Sequence, residues 1–285
     1  MLIAAAIITV TLTERFAELT KTCGCRLGIS VQAVDGGETH EINGAERFPM
    51  QSVYKLPIAM AVLDQVERRK LTLDQQVVLT ESDMAGVTYR SPLRDRHPKG
   101  GVRVSVRDLI RAAIVDSDGV ASDALLRLAG GGTHVTAYLR RIGITDMDVV
   151  TSEREMFADR TRMTQYRNSA TPRAAVALLR SLHNGSAVGP AARDLLLTDM
   201  TESIPGEKRL KGQLPAGTPV AHKTGTDGTF NGLTRATNDI GIIRLPDGRH
   251  LAIAVFVKDS TADEATRERT IATAARLAFD AWGAR

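Results

Sequence analysis

The sequence predicts a mixed fold, α/β plus all-α: an antiparallel five-stranded sheet built from both termini, flanked by terminal helices, with a helical domain inserted between the two halves. Three observations predict it. Strand-like patterning with Gly-rich turns is confined to the two ends of the chain, helical period fills the middle, and no long Pro/Gly/Ser linker separates the halves. The expected domains are residues 13–46 with 196–285, which carry the sheet, and residues 47–195, the helical insertion. A cleft is expected at their seam.

Taken in order, residues 1–12 form an apolar segment shorter than the roughly 20 residues that span a bilayer, and no later stretch is long enough, so no membrane anchor is expected. The segment is similar to the apolar part of a secretory signal but has no basic start, so a signal remnant and an N-terminal helix both stand as readings. Residues 13–20 read as an amphipathic helix. Cys23 and Cys25 lie one residue apart, where bridging closes a strained ring, and free thiols or an incidental pair are expected. Residues 26–34 alternate like a half-buried strand and turn at Asp35-Gly36-Gly37 into 38–42, a hairpin. Helical period then runs through 52–69, 105–115, 122–128, 135–142 and 172–183. Strand patterns return at 219–223, 233–243 and 251–258, and an amphipathic helix closes the chain over 264–282.

Composition narrows the class. At 285 residues, 43% hydrophobic and 25% charged, the chain is long enough to bury a core without disulfides or a structural metal. A net charge of +4 raises nucleic acid as a partner, but the basic residues are scattered among acidic ones and only 4% of residues are aromatic, which argues against it. The six histidines show no metal-ligand spacing, so neither a metal nor another cofactor is expected. No exposed apolar stripe stands out, and a monomer is the default.

Chemistry is carried by three short motifs. Ser52-Val53-Tyr54-Lys55 opens an apolar helical run, and its spacing puts Ser52 and Lys55 on one face, where the amine can take the proton of an otherwise weak nucleophile. Ser117-Asp118-Gly119 joins two helical runs and offers a hydroxyl for proton relay. Lys223-Thr224-Gly225-Thr226 ends a strand, where Lys223 and Thr224 suit a substrate carboxylate and Gly225 leaves room for substrate along the strand edge. Each alone has a plainer reading, as a helix cap, a surface lysine or a strand end; the ordered set is what departs from chance.

In that order and context the motifs resemble the class A serine β-lactamases over nearly the whole chain, and most closely an extended-spectrum branch. The resemblance implies hydrolysis of a β-lactam amide through an acyl-enzyme on Ser52. Lys55 is then the acylation base or its relay, Ser117 the proton shuttle, Lys223 and Thr224 the carboxylate anchors, and the N–H groups of Ser52 and Thr226 the oxyanion hole. Arg209 matches a position where some members place a guanidinium behind the carboxylate site, with a surface cation as the even alternative. Glu153, in Glu153-Arg154-Glu155-Met156, aligns with the loop glutamate that activates the deacylating water, and Glu155 is the alternate from an ungapped count. Gly119 and Phe157 stand where the family commonly has asparagines, Asp123 replaces one that supports the glutamate loop, and Tyr89-Arg90 falls where a residue gates the cleft. The same resemblance implies a periplasmic or secreted enzyme. A D-alanyl-D-alanine carboxypeptidase and a slow-turnover covalent penicillin-binding protein share several of these motifs and stand as alternatives.

Overall fold

The computed structural model describes residues 10–283. The expected signal remnant therefore lies outside the described residues except for its last three. Five strands, β1 (Arg26–Ala33), β2 (Thr39–Ile42), β3 (Val220–Thr226), β4 (Leu233–Arg244) and β5 (His250–Ser260), form an antiparallel sheet in the order β2-β1-β5-β4-β3. A two-residue strand, Thr229–Phe230, adds alongside β4. The main helices are α1 (Leu12–Thr22), α2 (Lys55–Glu67), α3 (Val106–Val115), α4 (Gly119–Leu128), α5 (Gly132–Arg141), α6 (Glu153–Ala158), α7 (Pro172–His183), α8 (Pro190–Thr201) and α9 (Glu264–Gly283).

Helix α1 starts at a capping box, in which Thr11 accepts the Glu14 N–H and the Glu14 carboxylate accepts the Thr11 N–H. Its Leu12 and Phe16 join Ile271, Ala275 and Trp282 of α9 against one face of the sheet. Between α1 and β1 the cysteines are a pair and not free thiols, the second of the two expectations. Gly24, at φ +53°, turns the chain tightly enough that Cys23 and Cys25 sit 5.2 Å apart at Cα and are bridged.

Strand β1 is buried along nearly all its length rather than half-exposed. Leu27, Ile29 and Val31 face α1 and α9, while on the other face Gly28 lies so close to a second layer that a Cβ there would come within 2.4 Å of the Phe48 ring. The small residues of the alternation mark this close approach, not solvent. In that second layer Leu178 and Leu182 of α7 share one core with Phe48, Ala254 and Phe256. Helix α2 is buried from Lys55 through Leu63, the signature of a helix surrounded by protein on all sides. Among the features unread in the sequence are α8, announced by Pro190 in its first turn, and the antiparallel pair of Gln76–Leu79 with Val102–Ser105.

Candidate active site

The helix expected to begin at Ser52 begins with a 3₁₀ turn, Gln51–Tyr54, that leads into α2 at Lys55. This turn is pinned from two directions. The Asn238 amide on β4 donates to the carbonyls of Pro49 (2.8 Å) and Met50 (3.1 Å), and the Met50 N–H donates to the Asn168 carbonyl (2.8 Å). Strand β3 passes so near that a Cβ on Gly225 would lie 2.2 Å from the Met50 carbonyl oxygen. The glycine is thus required for the strand to approach the turn, a reason different from the substrate room read in the sequence.

Lys55 is 1% exposed, and its Nζ donates to Ser52 Oγ (2.8 Å), Glu153 Oε1 (2.6 Å) and the Ser117 carbonyl (2.9 Å). Ser117 holds φ at +59°, a conformation that costs a non-glycine residue about 1–3 kcal/mol and that places its hydroxyl between two lysines. Its Oγ lies 3.5 Å from Lys55 Nζ and 3.0 Å from Lys223 Nζ. Burial, with Lys55 nearby, holds the Lys223 amine well below the ordinary lysine range. Asp118, the middle residue of the motif, serves the backbone instead. Fully buried, it caps α4 and accepts from Ser91 Oγ (2.9 Å) and the Leu93 N–H (2.7 Å).

Arg209 is an interior residue, 4% exposed, and not a surface cation. Its guanidinium donates to Thr226 Oγ1 (2.8 Å) and to the carbonyls of Asn238 (3.0 Å) and Gly225 (3.4 Å), with Glu268 at 3.3 Å. It lies behind the end of β3. Ser52, Ser117, Glu153, Thr224, Thr226 and Phe157 all line one cavity of about 160 Å³.

The two candidate glutamates part company. Glu153 is 5% exposed with its carboxylate on Lys55, and 3.5 Å separates its Oε1 from Ser52 Oγ. Glu155 is exposed and spends its carboxylate on the cap of α6, accepting from the Ser152 N–H and Thr151 Oγ1 at 2.8 Å each. The segment is helical where a loop was expected. Asp123 of α4 accepts the N–H groups of Glu153 (2.8 Å) and Arg154 (3.1 Å); burial, reinforced by the Glu153 charge, pushes its pKa up to about 6. Asn168, fully buried, accepts the N–H groups of Val150 (2.7 Å) and Thr151 (3.0 Å). Farther along, Arg162 pairs with buried Asp227 beyond β3 and lies over the Phe157 ring at 5.5 Å.

Sequence reasoning passed over Asn168 and Asn238. Asn238 lies in the polar first half of its strand, between Thr237 and Asp239, and Asn168 in a segment with no periodicity, so neither stood out in the sequence.

A hydroxyl within reach of a buried amine and a buried carboxylate, with a second hydroxyl held between two lysines, defines a serine hydrolase built for acyl transfer. The chain matches the β-lactamase enzyme family over residues 11–282. It is 41% identical to the extended-spectrum β-lactamase PER-1 of Pseudomonas aeruginosa, across 89% of this chain and 81% of that protein. It is 35% identical to the β-lactamase VEB-1 of Pseudomonas aeruginosa, across 94% of this chain and 89% of that protein. The crystal structure of a β-lactamase from Chitinophaga pinensis superposes with a TM-score of 0.91 at 40% identity, covering 95% of this chain and 99% of that one. The chain belongs to the β-lactamase enzyme family, as a class A serine β-lactamase that hydrolyses β-lactams through an acyl-enzyme. The carboxypeptidase and covalent-binder readings find no support among these relatives. No helix among the described residues is long and apolar enough to cross a membrane.

Proposed function

We propose that Ser52 is the nucleophile of β-lactam hydrolysis, and that Lys55, Ser117 and Glu153 move its protons. The observation that carries this reading is the position of Lys55 Nζ, 2.8 Å from Ser52 Oγ and 2.6 Å from Glu153 Oε1. In acylation Ser52 Oγ bonds to the ring carbonyl carbon and passes its proton to the Lys55–Glu153 pair. The C–N bond breaks, the ring nitrogen takes the Ser117 hydroxyl proton, and Lys55, 3.5 Å away, restores it. In deacylation Glu153 takes a proton from water, the resulting hydroxide adds to the ester carbonyl, and the C–Oγ bond breaks as Ser52 regains a proton through Lys55.

Lys223 and Thr224 hold the substrate carboxylate at the β3 edge, Gly225 and Thr226 continue that edge beside the bound substrate, and Arg209 lies behind Thr226. The N–H groups of Ser52 and Thr226 face the carbonyl oxygen as it gains charge. The reaction uses no metal or other cofactor, and the protein acts as a monomer in the periplasm or outside the cell. Nitrocefin hydrolysis by wild type and Ser52→Ala tests the nucleophile. Turnover by wild type with none by Ser52→Ala is the expected outcome; full activity in Ser52→Ala overturns it.

A further inference from the structure

Gly119 is the first residue of α4, in a helical conformation that any residue adopts, so its backbone does not call for glycine. Space does. A Cβ at this position would lie 2.3 Å and 2.5 Å from two ring carbons of Tyr89, and 3.0 Å from Glu153 Cγ. Tyr89 is 5% exposed and lines the cavity beside Ser52, Ser117 and Glu153. Its ring packs on Phe157 at 5.2 Å between centroids.

The other end of Tyr89 is equally committed. Its hydroxyl donates to Asp123 Oδ2 (3.0 Å), the carboxylate that also accepts the Glu153 and Arg154 N–H groups. Burial and the Asp123 charge push the Tyr89 ionisation far upward, which keeps the hydroxyl a donor at all working pH. Nor is the ring free to swing away. The next residues are tied to the turn between α3 and α4: Arg90 Nε donates to the Asp116 carbonyl (2.9 Å), the Arg90 carbonyl accepts the Gly119 N–H (3.0 Å), and Asp118 holds Ser91 and Leu93.

Resting on the proposed role of Glu153, we propose that Tyr89 is a positioning residue of this enzyme: its ring fills the volume left by the side chain missing at Gly119, and its hydroxyl fixes Asp123, and through it Glu153. Deacylation, which needs Glu153 in register, depends on the Tyr89 hydroxyl more than acylation does.

The test is a set of four variants: Gly119→Asn, Tyr89→Ala, the Gly119→Asn/Tyr89→Ala double variant, and Tyr89→Phe. Acylation and deacylation rates are measured separately by stopped-flow with nitrocefin and by intact mass. Gly119→Asn alone is expected to lose about a hundredfold in kcat/KM, because the asparagine and the ring claim the same volume. The double variant is expected to recover at least about tenfold over Gly119→Asn, a non-additivity that general damage to the cleft does not produce. Tyr89→Phe keeps the ring and removes one hydrogen bond to a carboxylate; deacylation is expected to slow about tenfold while acylation holds, so that acyl-enzyme accumulates. Wild-type activity in Gly119→Asn, no recovery in the double variant, or equal slowing of both steps in Tyr89→Phe overturns the proposal. Failure of wild type to form any acyl-enzyme instead removes the Ser52–Glu153 reading beneath it, so the two failures are distinct.

Discussion

The two halves of the active site are built from different materials. Ser52 and Lys55, the proposed acylating pair, stand at the entrance of α2, whose flank from Leu56 to Leu63 is apolar and buried, so that core packing, with backbone hydrogen bonds on the turn before it, holds them. Glu153 stands on a six-residue helix held by polar links, through Asp123, Asn168 and the Arg162–Asp227 pair. Packing is cooperative and spread over many contacts, whereas each polar link is a single side chain. The half that carries the proposed nucleophile is therefore expected to fail only when the fold fails, and the half that carries the proposed deacylation base to be separable from stability.

The sharpest way to break that comparison is to damage the core beneath Ser52. Met60 is fully buried on α2, and Met60→Ala is expected to destabilise the protein by about 2–5 kcal/mol. Denaturant melts read that loss, while the ratio of acylation to deacylation in the folded fraction stays at the wild-type value. A smaller loss with a larger functional bias is expected for Asn168→Ala. Its side chain accepts from the N–H groups of Val150 and Thr151 and donates to the Thr151 carbonyl, and removing it strands those groups at about 1–3 kcal/mol. Stopped-flow traces should then show deacylation falling further than acylation; equal falls mean that this segment is not what holds Glu153.

Asp123→Asn gives the smallest effect and turns on pH. Burial raises Asp123 to about 6 from the usual carboxylate value, so the folded protein binds this proton more tightly than the unfolded chain does. The residue therefore favours folding at pH values below the carboxylate range and loses that contribution as pH rises toward about 6, above which its cost is constant. Relative to wild type, Asp123→Asn should gain stability on going from pH 5 to pH 7. A stability difference that does not change with pH means that Asp123 carries no destabilising buried charge.

The sequence made the local chemistry legible and left the long-range support hidden. Ser52 and Lys55 are three residues apart on one turn, and Lys223 to Thr226 are contiguous on one strand, so spacing alone joins them. The sheet was legible for the same reason, since β1, β4 and β5 each carry their own pattern. Tyr89 meets Asp123 and Gly119 across loops, and Asn238 meets Pro49 from the far end of the chain, contacts that no local period encodes. Helix α8 escaped because Leu195, Leu196 and Leu197 run consecutively and blur the helical period, although Pro190 marked its start. Gly225 was legible as a glycine that matters, but the Met50 carbonyl that demands it is brought there only by the fold.

The division of labour between the two halves is tested most directly by intact-mass analysis of Glu153→Gln mixed with a β-lactam, followed by peptide mapping. An acyl adduct is expected that forms, persists because water is no longer activated, and maps to Ser52. Wild-type turnover without an adduct, or an adduct on any other residue, would contradict that division.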